Sequence, residues 1–328
     1  MTVYLAADVG GTKTDLIVYE RERGPAASLA AATLASADYA SFPLLLRDFL
    51  GDKGFRIDRA CFGVAGPVLA NRAQLTNLPW AVDGAAISVE FAIPKVEVIN
   101  DLVALGYAVS RLGDDDLLWL HRGRPNPQGA IGVVAPGTGL GMAFLVPDGS
   151  GYRVCPSEGG HAAFAPNGDD VDMLRFLLAR EEAVSCEFLC SGPGLPRIYR
   201  YLRDAGLFPE PRWLAAEFAT APDPARLIVE AALDDHRVCH ICRETLRTFG
   251  GILADICGNF AVTLLATGGI YIGGGIPPRI LPFLKDDVFL HRFRRRGKMG
   301  ELLSEIPVAI ITNPKAALLG AAACTERR

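Results

Sequence analysis

Apolar and polar positions along this 328-residue chain follow two periods. Short continuous apolar runs at 3–7, 16–19, 60–64, 96–99, 117–120, 131–135, 270–272 and 308–311 have the length of buried strands. Between them, apolar residues recur at helical spacing over 41–50 and 102–112, through much of 171–232, and around 280–284. A long helical pattern covers 235–265, with a break expected at Gly250-Gly251 or Gly258, and Pro314 is expected to start a last helix ending near residue 323. Residues 69–75 follow a short connection through Gly66-Pro67. Strands alternating with helices in this way predict an α/β fold with mixed sheets.

The turns between strands carry the first chemistry. Asp8-Val9-Gly10-Gly11-Thr12-Lys13-Thr14 lies between two apolar runs. Glycines let backbone approach a ligand closely, and successive N–H groups with threonine hydroxyls form a nest for phosphate oxygens. Asp8, at the strand end, is a hard oxygen ligand of the kind a phosphate-bound divalent cation needs. Read alone, the same string is equally a Gly-rich hairpin turn. A second copy changes that balance. The strand at 131–135 runs into Pro136-Gly137-Thr138-Gly139-Leu140-Gly141 and then another apolar run. Two such hairpins predict two related halves acting on one polyphosphate. A third cluster, Gly273-Gly274-Gly275, follows 270–272 and precedes Pro277, so it is expected to open a helix and offer bare backbone to a base or ribose.

Composition narrows the classes. Half the residues are hydrophobic, 33 basic residues face 37 acidic ones, and the formal net charge is -4. Nothing here favours nucleic acid as a partner. The basic run Arg292 to Lys298 reads as a solvated helix end or loop. No apolar run reaches the roughly 20 residues a bilayer span needs, and no signal peptide precedes the first strand, so a cytoplasmic protein is expected. Eight cysteines in a chain this long do not read as a disulfide framework. His236, Cys239, His240 and Cys242 form the one cluster that invites a metal; on a helix, 236, 239 and 240 would share a face.

With Ile99-Asn100-Asp101, Glu158-Gly159-Gly160-His161, Ser191-Gly192-Pro193-Gly194-Leu195, Thr76-Asn77 with Trp80, and Ala317-Leu318-Leu319-Gly320 added to the glycine turns, nearly the whole chain resembles the bacterial glucokinases of the hexokinase–actin superfamily. The resemblance implies a two-domain actin-like ATPase (hexokinase/ribonuclease H-like) fold with an interdomain cleft. Its small domain would span 1–109 plus 313–328 and its large domain 110–312. It implies ATP-dependent phosphorylation of the 6-hydroxyl of glucose, with Mg²⁺ and no membrane partner, and a homodimer. Asp101 would be the general base, and Asn100, Asp101, Glu158, His161 and Glu187 the sugar contacts. Asp8 would organise Mg²⁺ through water. Gly10, Gly11 and Thr12 would line one side of the polyphosphate and Gly137, Thr138 and Gly139 the other, with Gly274 and Gly275 against adenosine. Zinc-binding relatives use a cysteine-rich loop pattern that is missing here.

Local readings compete with some of these roles. Asn100 or Asp101 is also the expected N-cap of the helix after 96–99. Glu187 follows Ser185, a plausible cap, and a first-turn Glu is favourable for dipole reasons alone. Many relatives place Asn and then a basic residue after the first Gly-Gly-Thr. Here Lys13 takes the Asn place and Asp15 the basic place, with Asp15 expected to face solvent and Lys13 to supply displaced positive charge. That departure leaves polyphosphate or ADP open as donors. Alternative functions are a kinase for another hexose or an N-acetylated amino sugar, a sugar-sensing regulator, and an actin-like ATPase. The last would lack the Asn100, Asp101, Glu158 and His161 set, and a regulator would carry a helix-turn-helix ahead of Asp8, for which little room is seen.

Overall fold

The computed structural model describes residues 2–75, 78–149, 151–168 and 170–327; Thr76 and Asn77 of the motif with Trp80 lie outside them. The chain divides into two compact units: Met1–Asp116 with Val154–Pro156 and Asn313–Arg328, and Leu117–Arg153 with Ser157–Thr312.

The first unit is built on strands β1 (Val3–Val9), β2 (Lys13–Glu20), β3 (Ser28–Ala35), β4 (Arg59–Val64), β5 (Val68–Leu69), β6 (Arg72–Gln74), β7 (Ala81–Asp83) and β8 (Lys95–Asn100). Its main sheet has the order β3-β2-β1-β4-β8. β1 pairs antiparallel with β2 and parallel with β4, and β4 pairs parallel with β8. Helix α1 (Phe42–Leu50) begins after Ser41 with a proline in its first turn and buries Phe42, Leu45, Leu46 and Phe49, one stripe of a 3.6-residue period. Phe42 meets Phe62 edge-on. Buried Trp80 keeps its ring N–H satisfied on the Tyr39 carbonyl at 3.2 Å.

Residues 69–75 do not run straight. Ala70 and Asn71 both have positive φ, which turns β5 back onto β6. Asn71 then clamps the hairpin to β8, donating to the Val96 carbonyl (2.9 Å) and accepting from the Val98 amide (2.7 Å). Helix α2 (Gly84–Glu90) is capped by Asp83, and α3 (Asp101–Val109) follows β8 directly. The C-terminal helix, Ala316–Thr325, starts two residues later than Pro314 suggests, because Asn313 to Lys315 form a turn closed by the Asn313 side chain on the Lys315 amide. It lies against α3 so closely that a Cβ on Gly320 would collide with the Ala104 carbonyl oxygen. The Tyr19 hydroxyl anchors its far end, donating to the Ala322 carbonyl at 2.9 Å.

Strands β9 (Leu117–His121), β10 (Ile131–Pro136), β11 (Leu140–Pro147), β12 (Tyr152–Ser157), β13 (Gly269–Ile272) and β14 (Val308–Ile311) form a second sheet, of order β12-β11-β10-β13-β14-β9. An antiparallel hairpin, β10–β11, again stands beside two parallel strands, β13 and β14. The inner four strands, β11-β10-β13-β14, therefore repeat the pairing of β2-β1-β4-β8 in the first sheet, as the doubled glycine turn predicts. Helices α4 (Asp170–Leu178), α5 (Cys186–Leu189), α6 (Gly194–Asp204), α7 (Arg212–Thr220) and α8 (Pro224–Leu233) precede the central α9 (His240–Leu264); α10 (Leu281–Leu284), α11 (Asp287–Arg294) and α12 (Gly300–Glu305) follow β13.

The 25 residues of α9 run unbroken through all three glycines. Added Cβ atoms would stand 3.1 Å from the Phe283 carbonyl oxygen at Gly250, 2.6 Å from the Arg292 guanidinium at Gly251 and 2.5 Å from the Phe293 carbonyl oxygen at Gly258. The glycines are there for close helix contact, not for a break. Across that contact, buried Asp255 accepts from Arg292 Nε at 2.9 Å and from Arg296 at 3.0 Å, while Arg292 also pairs with Asp170. Removing one member of such a buried network leaves uncompensated charge. Asp255→Ala is expected to cost about 3–5 kcal/mol, read as a lower urea midpoint, whereas an unchanged midpoint would show the two arginines satisfied elsewhere.

Candidate functional site

The first cluster gathers at the C-terminal ends of parallel strands, the usual ligand edge of such sheets. Register puts Asp8 of β1 beside Gly63 of β4, and Asn100 of β8 beside Val64. The two strands carrying these polar groups are thus separated only by β4, roughly 10 Å. Gly63 keeps that middle position thin: a Cβ there would be 3.0 Å from the Ala104 methyl on α3.

Asn100, not Asp101, is the N-cap. Its Oδ1 accepts the Leu102 amide at 2.9 Å and its Nδ2 donates to the Gly66 carbonyl at 3.1 Å. Asp101 sits at the first helical position, where its Oδ1 also receives the Leu102 amide at 2.9 Å. Helix termination at this end is therefore served by Asn100, and the Asp101 carboxylate stands beside it at the positive end of α3.

The turn between β1 and β2 is held from below. Gly10 N–H donates to the Lys13 carbonyl at 3.1 Å, and Ser36 receives the turn twice, its amide donating to Thr12 O (3.0 Å) and its hydroxyl to Gly10 O (2.8 Å). Since the Ser36 proton is committed to Gly10, the 3.0 Å contact with Thr14 has Thr14 as donor. Thr14 closes the Asp8–Thr14 string, whereas nothing in the sequence marks Ser36. Thr12 is exposed and Gly10 and Gly11 are half-buried, so the outer face of the turn is open.

Asp15 departs from expectation. It is 2 % exposed, faces Asp8 across the hairpin, binds Lys13 Nζ at 2.8 Å and accepts the Thr33 hydroxyl. Two residues apart on one strand, Lys13 and Asp15 share a face, so the lysine charge is spent on its neighbour. Asp8 feels this company. Burial, then the negative charges of Asp101 and Asp15, push its carboxyl up to about 7, with Lys13 opposing. Three carboxylates against one ammonium make an oxygen-rich, negatively charged place of the kind a hard cation relieves.

The second cluster lies wholly in the second unit. A 3-10 turn, Gly159–His161, brings Glu158 and His161 together: Nε2 of His161 is 3.8 Å from Glu158, and Nδ1 is 3.8 Å from Glu187. Glycine is required within it, because a Cβ on Gly160 would collide with the Leu140 carbonyl. Ser185 caps α5 through the Phe188 amide (3.1 Å), which sets Glu187 in the first turn facing the β10–β11 hairpin. There Oε2 accepts the Leu140 amide at 2.8 Å. The hairpin turn itself is closed by Gly137 N–H on Gly139 O and anchored by Gly192 N–H on Gly137 O, both 2.8 Å. Thr138 is exposed at its tip.

Gly273 N–H donates to Val134 O at 2.9 Å, and Gly274 has φ +85 with its Cα against the Pro136 carbonyl, so the third glycine turn lies beside the second. It leads into a single 3-10 turn, Pro277–Arg279, rather than an α-helix; the prolines set the first turn but Ile280 leaves helical geometry. Gly274 and Gly275 are exposed. The cysteine cluster is not one helix face: α9 begins at His240 with Cys239 as N-cap, His236 precedes the helix, and Cys239 and Cys242 are buried. Among the described residues, no three His, Cys, Asp or Glu side chains are arranged to hold a metal by themselves. Nor is any helix among them long and apolar enough to cross a membrane.

A crystallised glucokinase from an Antarctic psychrotroph matches this structure with a TM-score of 0.84 and 30% identity, covering 99% of each chain. A ROK family glucokinase from Streptomyces griseus, in complex with glucose and AMPPNP, matches at 0.64 and 19% identity over 98% of this chain and 99% of that one, a likeness of fold. Fold and clusters together define a sugar kinase of the hexokinase/actin-like ATPase class. Glucokinase of Nostoc punctiforme is 39% identical over 100% of both chains, that of Synechocystis 35% identical over 99% of this chain and 98% of its own, and the glucokinase family model matches residues 5–328. The chain belongs to the glucokinase family, enzymes that phosphorylate glucose.

Asp8 gives a stability signature. A carboxyl raised in the folded state adds no penalty below about pH 4, loses stability as pH rises toward 7, and carries the full cost above it. In EDTA without nucleotide, Asp8→Asn is expected to raise the melting temperature at pH 8 by roughly 2–4 °C for each kcal/mol relieved and to leave it unchanged at pH 4. Equal effects at both pH values would show that charge is not the cause.

Proposed function

We propose that this glucokinase transfers the γ-phosphoryl group of ATP to the 6-hydroxyl of glucose, with Asp101 as general base. Asn100, Asp101, Glu158, His161 and Glu187 would contact the sugar, and Asp8 would organise Mg²⁺ through water. Both glycine-threonine turns, Gly10-Gly11-Thr12 and Gly137-Thr138-Gly139, would hold phosphate oxygens, and Gly274-Gly275 would meet adenosine. The two compact units are read as the two domains of the fold. Family membership over the full chain supports the reaction. The observation that supports the assignment of the base is the place of Asp101, the first helical residue of α3 where β8 ends at the C-terminal edge of its parallel strands, next to the N-cap Asn100.

In the proposed step, the sugar oxygen forms a bond to the γ-phosphorus as the bond to the ADP oxygen breaks. Asp101 takes the hydroxyl proton late, because phosphoryl transfer is loose and the base mainly orients the nucleophile. Glu158, His161 and Glu187 would hold the remaining sugar hydroxyls. Such contacts select strongly, since a missing or inverted hydroxyl leaves buried polar groups unpaired. The Asp8 donor set fits Mg²⁺, which keeps several waters and takes one or two carboxylates rather than a full protein cage. Bound there, Mg²⁺ would neutralise charge on the phosphates. ATP and free hexose meet in the cytoplasm, where the reaction is placed.

Asp101→Asn keeps size and hydrogen bonding but removes the base. It is expected to lower kcat by about 10²–10⁴-fold while glucose still binds and the melting temperature holds. Near-normal turnover in a coupled ADP-release assay would remove Asp101 from the role. The same assay over a panel of hexoses and N-acetylated amino sugars, with ATP and polyphosphate as donors, tests substrate and donor; preference for another sugar or for polyphosphate would overturn those parts of the reading.

A further inference from the structure

The segment from Val184 to Gly192 touches both halves of the second cluster. On one side it is stitched to the loop that carries Glu158 and His161: Phe164 N–H donates to Val184 O and Cys186 N–H to Ala162 O, both at 2.9 Å. On the other it grips the β10–β11 turn at two points, Gly192 N–H on Gly137 O (2.8 Å) and Glu187 Oε2 on Leu140 N–H (2.8 Å). One residue therefore faces both ways. Glu187 Oε1 is 3.8 Å from His161 Nδ1, while its Oε2 lies over Gly139, where a Cβ would be 2.5 Å away. Of the three polar tips it is the most sheltered, its side chain 33% exposed against 63% for His161 and 80% for Glu158.

We propose that Glu187 is a coupling residue: through the Leu140 amide it sets the Gly137–Gly139 turn according to whether its other oxygen is engaged by sugar, so that glucose and nucleotide bind cooperatively. This rests on the functional reading above, which makes Glu187 a sugar contact and the turn a phosphate contact, and it adds the link between them. A carboxylate has two oxygens on one rigid plane. A sugar hydroxyl donating to Oε1 fixes that plane, and Oε2 then holds Leu140 N–H, and with it the glycine turn, in one position. Without sugar the carboxylate plane is held on the turn side by Leu140 N–H alone, and the turn is fixed less firmly. Coupling of this kind is reciprocal, so nucleotide must tighten sugar by the same factor.

Calorimetric titration tests it, using glucose and the non-hydrolysable nucleotide AMPPNP with Mg²⁺, each measured alone and with the other saturating. Wild type is expected to bind AMPPNP about 5-fold or more tightly with glucose present. Glu187→Ala should bring that ratio toward one. Glu187→Gln, whose amide oxygen still accepts from Leu140, should keep part of it. Gly139→Ala, which pushes the carboxylate off the turn without altering it chemically, should resemble Glu187→Ala in the ratio. Glu158→Gln should weaken glucose yet keep the wild-type ratio at saturation. An unchanged ratio in Glu187→Ala, with weaker glucose binding, would make Glu187 a sugar contact only and overturn the coupling while the functional reading stands. Loss of the ratio in Glu158→Gln as well would also overturn it, as would a ratio of one in wild type. Failure of wild type to bind glucose at all would overturn the functional reading together with the inference.

Discussion

A hydrogen bond from one backbone amide to one carboxylate, Leu140 to Glu187, organises most of what is chemical in the second unit. It exists because Gly139 has no side chain to keep the carboxylate away. The polar backbone groups on the inner side of such a turn need partners within the protein. Gly192 and Glu187 are those partners. The glycine is thus as much a requirement of the protein's own packing as of any ligand.

The two sheets show one scaffold used twice with different chemistry. Both set an antiparallel hairpin beside two parallel strands, and both leave a glycine-threonine turn at the hairpin end. The first turn is backed by neutral hydroxyls, Ser36 and Thr14, and has carboxylates at its flank in Asp8, Asp15 and Asp101. The second is backed by a carboxylate and has a histidine behind that. The shared geometry carries different residues in each copy: carboxylates at the flank of the first turn, and a carboxylate with a histidine behind the second.

Stability is distributed unevenly across these needs. Burying Asp8, and gathering it with two further carboxylates, raises its pKa and costs the folded state free energy at neutral pH. Elsewhere the same chain buries charge with compensation: Asp255, Asp170, Arg292 and Arg296 neutralise one another where α9 and α11 meet. A charge left only partly compensated at a strand end is the mark of a site rather than of a core.

Much of this was open to reading in the linear chain. Strand and helix periods are local properties, so β1, α1, β10 and β14 lie close to where the pattern puts them, and the repeated glycine turns announce the doubled scaffold. Asp101, Glu158, His161 and Glu187 are nameable as candidates through the family resemblance that their strings carry; read locally, Asp101 and Glu187 are equally helix-end residues. Other features depended on what each residue meets. Gly250, Gly251 and Gly258 look like helix breakers until Arg292 and Phe293 occupy the space they leave. Asp15 looks like a solvent-facing residue until Lys13 and Thr33 close over it. Asn100 and Asp101 are equivalent capping candidates in sequence; both receive the Leu102 amide, and only the extended backbone of Asn100 and its contact with Gly66 separate cap from carboxylate. Periodicity is written along the backbone; partnership between residues tens of positions apart is created only when the chain closes on itself.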